Sequence, residues 1–540
     1  MPLDKQEVLE NLFLRAHQAM SQRQPDQARK LLDTAIKIDC SQAKLWHLLA
    51  DTRMATGGIA DSISTLKSAL RNHEFSAADR ISLQIHLATK YVKSDELGAA
   101  TECLDQNAIT ELGEPTLAAR AGFLLAICEE HSAALKTFES ALKSDPNNPE
   151  LIFNTAAAHR SMGNLEKSEA LYDQLLNLSP ESYPAYWLRS SLRKQTEDRN
   201  HVAQLEKLAA QDKTPTEGKV HLYFSLAKEL EDLKQFRKSF SALEKGATLK
   251  KKSLEYDVTQ DLAAINTIRS TYDAHTITQK TDSENSNGEG IIFILGMPRT
   301  GSTLVDRILS SHETVDSAGE PDTFAQIFYR SAMELTGVRD LSSESQMRTI
   351  KNSSSMDFEK IGRIYQEKLT LRAKQKNSQH IIDKNPSNFL YLGAIKLALP
   401  QAKIIHIRRN PLDTCYAIYK TLFKKGHPYS YDLEDLAAYY GAYDQLMNHW
   451  STVFDHGYYE LTYEDLVTQP TETSQKLMQY CGLGWSEKCL DFHQNDQKGT
   501  ATASAAQVRR PIYINSLNLW GNYAQELTGL SNSLKEKGVI

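Results

Sequence analysis

Small and large apolar residues recur along the first half of the chain with a period of 34. Ala28, Leu32, Ala35 and Cys40 open the series, and 34 residues on stand Ser62, Leu66 and Ala69. The pattern returns at Ala134, Phe138, Ala141 and Pro146, then at Ser168, Tyr172, Leu175 and Pro180, again 34 apart. Steps of four and three put these residues on one helix face. The small residues let a second helix approach, the large one fills the space between, and proline ends the pair. A weaker copy lies at Ser239, Leu243 and Gly246, and the register slips between Leu70 and Ala119, which predicts one irregular repeat. Beyond residue 290 the texture changes. Short apolar runs at Ile291–Leu295, His380–Ile382, Lys403–Ile407 and Tyr458–Leu461 alternate with helical stretches. Strands separated by helices predict a parallel α/β sheet. Residues 275–289, HTITQKTDSENSNGE, lack apolar periodicity and read as a linker. The expected division is therefore helical repeats over 1–274, a linker over 275–289 and an α/β domain over 290–540. A tyrosine-rich helix is predicted from about Leu433 to His456, with its tyrosines packing the helix rather than lining a cleft.

The repeat resembles the tetratricopeptide repeat, which implies an all-α solenoid. In the second half, Ile291–Thr303 reads IIFILGMPRTGST, a strand followed by a glycine-bearing loop and a helix. That geometry aims backbone N–H groups and a helix dipole at an anion. The spacing G-x-x-x-x-G matches a nucleoside-triphosphate loop, but Ser302 stands where its lysine belongs, and the cation, Arg299, sits inside the loop. The loop is read as holding a phosphate that is not part of a triphosphate. Lys403–Tyr419 forms a second strand-to-helix turn, with Arg408 and Arg409 at the strand end, Asn410 as N-cap and Pro411 as first helical residue. Two anion sites at two strand ends point to a ligand phosphorylated at two separated positions.

These motifs resemble the sulfotransferases that use 3′-phosphoadenosine 5′-phosphosulfate (PAPS), over roughly residues 290–525, and among them the tyrosylprotein branch. The loop is Pro298-Arg299-Thr300-Gly301-Ser302-Thr303-Leu304, followed by His312 and by Gly319-Glu320, with Arg299 and Glu320 21 residues apart. Further matches are Asp383-Lys384-Asn385-Pro386, the segment Tyr463 to Leu466, the segment Ser504-Ala505-Ala506-Gln507-Val508-Arg509-Arg510-Pro511, and Trp520. Repeats followed by such a domain are similar to bacterial tetratricopeptide-repeat sulfotransferase family proteins. The resemblance implies a P-loop-like α/β sulfotransferase domain with a central parallel sheet, preceded by the solenoid. It implies PAPS as cosubstrate, held by Arg299, Thr300, Gly301, Ser302, Thr303, Arg409, Tyr463, Gln507 and Arg510. It assigns Glu320 as base, Lys384 and Arg299 as neutralisers of the leaving oxygen and sulfonate, and Ser504 as a hydrogen-bond partner of the bridging region. The chain departs from the family at Ala417, where a serine contacts the 3′-phosphate, at Thr421, where a basic residue stands, and at Leu519, where a lysine precedes the tryptophan. Arg408, Lys420 or Thr414 could stand in for the lost contact. A scaffold that binds nucleotide without turnover therefore stays open beside the enzyme.

Composition narrows the rest. The chain has 540 residues, enough for two or more domains, and its net charge of −6 gives no support to nucleic-acid binding. Six cysteines without metal spacing read as reduced and structural. The histidines lack ligand spacing, and no metal is expected where cations already face both phosphates. No signal peptide is visible at the N-terminus, and no apolar run approaches the ~18–20 residues of a membrane span. The default location is the cytoplasm. The expected acceptor is a peptide or protein tyrosine, engaged with help from the repeats. A saccharide, lipid or small-metabolite acceptor is the alternative, since these motifs do not encode the acceptor site.

Overall fold

The computed structural model describes residues 5–281, 284–337, 342–373, 378–424, 426–455, 457–492, 511–512, 514 and 516–540. They fall into two compact units, divided between Ser179 and Pro180. The first unit is helical throughout, from Lys5–Ser21 to Leu165–Leu178. The periodic residues face its core: Ala28, Leu32, Ala35, Ser62, Leu66 and Ala69 are all fully buried, as are Ser168 and Tyr172. Small residues at these positions allow close approach, and Ser168 Oγ donates across to the Ala156 carbonyl at 2.8 Å. The expected irregularity is a long helix, Ala77–Lys93, followed by two short ones, Leu97–Glu102 and Gln106–Leu112, the second capped by the Asp105 carboxylate.

Among its described residues the second unit has one five-stranded sheet. Its strands are β1 Ile291–Gly296, β2 Val315–Ser317, β3 His380–Lys384, β4 Lys403–Arg408 and β5 Tyr459–Thr462, ordered β2-β3-β1-β4-β5 and all parallel. Helices cover both faces, so β1 is buried along its whole length and reads as an unbroken apolar run rather than an alternation. On one face Ile292, Ile294, Ile382, Ile405 and Ile407 pack with Val305, Ile308 and Leu309 of the helix Ser302–Ser310. On the other, Phe293 stacks on Tyr365 and meets Phe324 edge-on. β2, only three residues long, is too short to show a pattern in sequence. The tyrosine-rich helix runs Leu433–Val453 and buries Tyr439, Tyr440 and Tyr443.

The last repeat-like helices belong to this second unit. Thr216–Asp232 and Phe236–Lys252 pair as the earlier repeats do, with Ser239 Oγ donating to the Ala227 carbonyl at 2.6 Å. Glu231 accepts from Tyr416 Oη at 2.5 Å, Lys420 Nζ at 2.7 Å and Tyr523 Oη at 3.0 Å. Phe240 adds ring contacts with Tyr419 and Tyr523. The stretch 275–289, expected as a linker, includes the helix Ala274–Lys280, and its asparagines bind the α/β domain. Asn285 Nδ2 donates to the Leu397 carbonyl at 3.1 Å and Asn287 Nδ2 to that of Glu359 at 3.0 Å. Among the described residues no helix is long and apolar enough to cross a membrane.

Candidate active site

Because every strand runs the same way, all C-terminal ends meet at one edge, and β1 lies where the strand order reverses. Ligand sites of open α/β sheets form at that crevice. β1 ends at Gly296, whose φ is +146° and where a Cβ would lie 2.6 Å from the Ile407 carbonyl oxygen of β4. The loop then turns through Arg299 at φ +67° to Gly301 at φ +104°, the N-cap of Ser302–Ser310. A left-handed non-glycine residue costs ~1–2 kcal/mol, and such strain gathers at functional loops. Thr300 Oγ1 donates back to the Met297 carbonyl at 2.8 Å, and Ser302 and Thr303 are buried in the first turn of the helix.

Arg409, one residue past β4, crosses to this loop. Its Nη1 donates to the Arg299 carbonyl at 3.1 Å and its Nη2 to the Ser516 carbonyl at 2.6 Å. Its guanidinium lies 4.9 Å from the Tyr463 ring centroid, and the Tyr463 hydroxyl meets Ser516 Oγ at 2.8 Å. A Cβ on Gly301 would lie 2.5 Å from the Tyr463 ring. Arg299, Gly301, Arg409 and Tyr463, widely separated in sequence, are thus brought together. Asn410 caps the helix Pro411–Tyr419 as its sequence predicts, accepting from the N–H groups of Leu412 and Asp413. Asp413 in turn accepts from the N–H groups of Asn518 at 2.7 Å and Trp520 at 3.1 Å, drawing the C-terminal segment over the helix start. A cavity of about 360 Å³ opens there, between Arg408, Arg409, Glu464 and Asn518. Arg409 Nε and Trp520 Nε1 have no hydrogen-bond partner among the described residues. Unmet buried donors of this kind fit an anionic ligand.

On the other side of β1, Lys384 ends β3 and is 1% exposed, and its Nζ donates to Glu320, whose side chain is 46% exposed. Glu320 lies just beyond the end of β2, and the β2–β3 pairing, continued by Lys384 N–H donating to the Gly319 carbonyl at 3.0 Å, brings the two residues together. Asp383 points the opposite way into the core, where it accepts from Tyr365 Oη at 2.5 Å and Asn388 Nδ2 at 2.9 Å. Burial pushes its carboxyl up to about 7. His427 also faces this side: burial lowers its imidazole to about 4 against an opposing pull from Glu320, and Nδ1 lies 2.9 Å from Tyr429 Oη.

Three expected site residues, Ser504, Gln507 and Arg510, lie outside the described residues. Two expected stand-ins near the departures are committed elsewhere: Lys420 to Glu231, and Arg408 to Asp444 at 3.1 Å and Glu460 at 3.7 Å. Ala417 is buried in its helix, and Thr421 Oγ1 donates to its carbonyl. Sequence reasoning passed over Ser516, Glu464, which accepts from Asn410 N–H at 2.9 Å, and His427 as a neighbour of Glu320. Ser516 and His427 stand in no motif, and Glu464 fills a variable position of the Tyr463 to Leu466 segment. The remaining histidines are structural where their partners are seen, as with His406 Nε2 on Tyr443 Oη at 2.6 Å and His449 Nε2 on the Tyr272 carbonyl at 2.9 Å.

Residues 291–487 match the sulfotransferase family, and residues 129–192 match the tetratricopeptide repeat. A protein of Aquifex aeolicus without an assigned function is 28% identical over 388 residues, 70% of this chain and 49% of that protein. The protein-tyrosine sulfotransferase of Drosophila melanogaster is 22% identical over 252 residues, 43% of this chain and 46% of that protein. An omega-hydroxy-beta-dihydromenaquinone-9 sulfotransferase of Mycobacterium bovis is 31% identical over 112 residues, 19% of this chain and 29% of that protein. The chain thus spans about half the length of the first two relatives, and less of the third. Strand-end cradle, repeats and family matches agree: a helical region that matches the tetratricopeptide repeat precedes a parallel-sheet domain that matches the sulfotransferase family.

Proposed function

We propose that this chain transfers a sulfonate group from PAPS to an acceptor hydroxyl, with a peptide or protein tyrosine as acceptor. The observation that supports this most is the division of the strand edge. Arg409 reaches the phosphate loop and stacks on Tyr463 on one side of β1, while Lys384 and Glu320 stand together on the other. On this reading Arg299, Thr300, Gly301, Ser302 and Thr303 hold the 5′-phosphosulfate and Arg409 the 3′-phosphate, with Tyr463 supporting the nucleotide. Gln507 and Arg510 join them, and Ser504 hydrogen-bonds the bridging region. PAPS supplies an activated sulfonate. The acceptor oxygen forms a bond to sulfur as the bond from sulfur to the bridging phosphate oxygen breaks, and adenosine 3′,5′-bisphosphate leaves.

The ion pair gives the step an internal logic. A carboxylate held by a lysine is a poor base until the lysine finds another anion. Lys384 turning toward charge developing on the leaving oxygen would release Glu320 to take the acceptor's proton. The cytoplasm is the expected compartment, and the repeats are the expected means of engaging a protein acceptor.

Transfer of radiolabelled sulfonate from PAPS into a peptide library tests the reading. Label on tyrosine supports it, whereas label only on a saccharide or an apolar alcohol would move the acceptor to that class, an outcome the menaquinone-type relative keeps in view. Adenosine 3′,5′-bisphosphate at a hundred times its dissociation constant should stabilise the protein by ~2.7 kcal/mol over the unliganded chain, and ATP with magnesium should do so much less. Ala417 and the engagement of Lys420 by Glu231 favour a second reading, a scaffold that binds the bisphosphate without turnover. Bisphosphate binding with no transfer to any acceptor would select it.

A further inference from the structure

Away from the strand edge, the second unit encloses another cavity, of about 70 Å³. It lies among the helices Val258–Thr271, Thr323–Thr336, Ser343–Ser353 and Leu433–Val453. Its lining mixes the aromatic rings of Tyr272, Phe328, Tyr329, Tyr391 and Tyr439 with aliphatic side chains such as Ile265, Ile268 and Leu390. Tyr272, Phe328 and Tyr439 are buried, while Asp261, Tyr329 and Tyr391 keep partial exposure. The tyrosine hydroxyls are spoken for. That of Tyr272 meets Ser353 Oγ at 2.8 Å, that of Tyr391 bonds Tyr329, and that of Tyr439 bonds Tyr429.

Among the described residues Asp261 is the one carboxylate of the lining, and no lysine, arginine or histidine lines the cavity. Its Oδ2 accepts from Tyr256 Oη at 2.7 Å. Among the described residues Oδ1 has no hydrogen-bond partner, and no cation pairs with the carboxylate. Burial holds the carboxyl above its ordinary range, as expected for a negative charge without a counter-ion. A half-buried carboxylate beside aromatic faces is costly by itself and favourable once a cation enters, because ring quadrupoles and carboxylate attract the same charge. Size narrows the class further. Benzene occupies an apolar cavity of ~150 Å³, so this one is too small for a ring and large enough for an ammonium head with a short alkyl chain.

We propose that this cavity binds a small organic cation, the ammonium head of a primary or methylated alkylamine, with Asp261 as its counter-charge and the surrounding rings as its walls. The proposal stands apart from sulfonate transfer and needs no cosubstrate. The test is titration of the full chain, by calorimetry or saturation-transfer NMR, with three probes of similar size: propylammonium, 1-propanol and propionate. Propylammonium should bind saturably in the millimolar range, as so few atoms allow. It should bind at least tenfold more tightly than 1-propanol, and propionate should not bind. Asp261→Asn keeps an acceptor for Tyr256 and should bring propylammonium down to the level of 1-propanol. Ala264→Leu, which fills the lining without touching the carboxylate, should abolish binding of both. Equal binding of the three probes by the wild-type chain would overturn the proposal. So would unchanged propylammonium affinity in either variant with a wild-type melting curve. If both variants fail to fold, the wild-type probe series alone decides.

Discussion

Replacing Arg409 by alanine should weaken adenosine 3′,5′-bisphosphate binding by roughly 10- to 150-fold. The figure follows from what the side chain does. A guanidinium contact to phosphate is charge-assisted, and its loss costs ~1.5–3 kcal/mol. At about 1.4 kcal/mol per decade that is the stated range. A second cost falls on the protein itself. The same side chain ties the Arg299 and Ser516 carbonyls together and stacks on Tyr463 at 4.9 Å, so its removal also loosens the phosphate loop and the C-terminal segment. The stack alone is worth ~0.5–1 kcal/mol at a partly exposed site. Two further variants separate these effects. Arg409→Lys keeps the charge but not the fork, and should fall between wild type and alanine. Tyr463→Phe loses only the hydroxyl contact to Ser516 and should lower stability by ~1 kcal/mol while leaving nucleotide affinity nearly intact. Calorimetry with the bisphosphate measures the first effect, and urea unfolding without ligand measures the second. If Arg409→Ala binds the bisphosphate within threefold of wild type, the 3′-phosphate does not sit at the end of β4 and the proposed orientation of the nucleotide is wrong.

Five further outcomes are expected. Glu320→Gln keeps an oxygen for Lys384 and removes proton acceptance, so turnover measured in single-turnover assays should fall by ~10²–10⁴ with bisphosphate affinity nearly unchanged; Lys384→Ala should also slow turnover, with partial rescue by a better leaving group. Asp383, held at about 7 by burial, keeps a proton that the unfolded chain has already lost above pH ~4, so the native state binds more protons through this window. Stability should therefore fall as pH rises from about 4 to 7, by roughly 4 kcal/mol at most, and urea melts of Asp383→Asn against wild type should show that slope removed. Glu231 is the reverse case. Burial alone would raise its carboxyl, but Lys420 and the hydroxyls of Tyr416 and Tyr523 outweigh it and hold it low. Glu231→Ala should cost ~2–4 kcal/mol near neutral pH, a penalty that shrinks below pH ~4 as the wild-type carboxylate protonates. A fragment beginning near residue 290 should for the same reason be less soluble than one beginning near residue 180, as sedimentation of expressed fragments would report.

What could be read in the sequence was local. The strand, loop and helix at Ile291–Ser310 and the cap at Asn410 each depend on residues within a few positions of one another. The 34-residue repeat was visible because every copy buries the same face. The features that escaped are contacts between distant positions. Lys384 and Glu320 were both singled out, yet their pairing depends on a β2–β3 register that a three-residue strand does not announce. Glu231 is one acid in a charged helix end, and only the fold brings Tyr416, Lys420 and Tyr523 to it. The polar stretch at 275–289 read as a linker because asparagines that bind backbone carbonyls look like asparagines that bind water. Ser516 belongs to no motif and contributes to the site through its carbonyl as well as its hydroxyl, and a backbone carbonyl leaves no trace in side-chain spacing.

The order of strands also carries a lesson for how such a site can diversify. With β1 in the middle, the groups assigned to the nucleotide sit largely on the β4–β5 flank and those assigned to chemistry on the β3–β2 flank. The loops of the second flank can lengthen, shrink or exchange residues without passing through the first. A lineage, or an engineer, wanting a new acceptor would therefore vary the segments after β2 and β3 and leave the ends of β4 and β5 alone. A shuffled library confined to the chemistry flank should retain bisphosphate binding in most of its folded members, whereas one confined to the other flank should lose it in most.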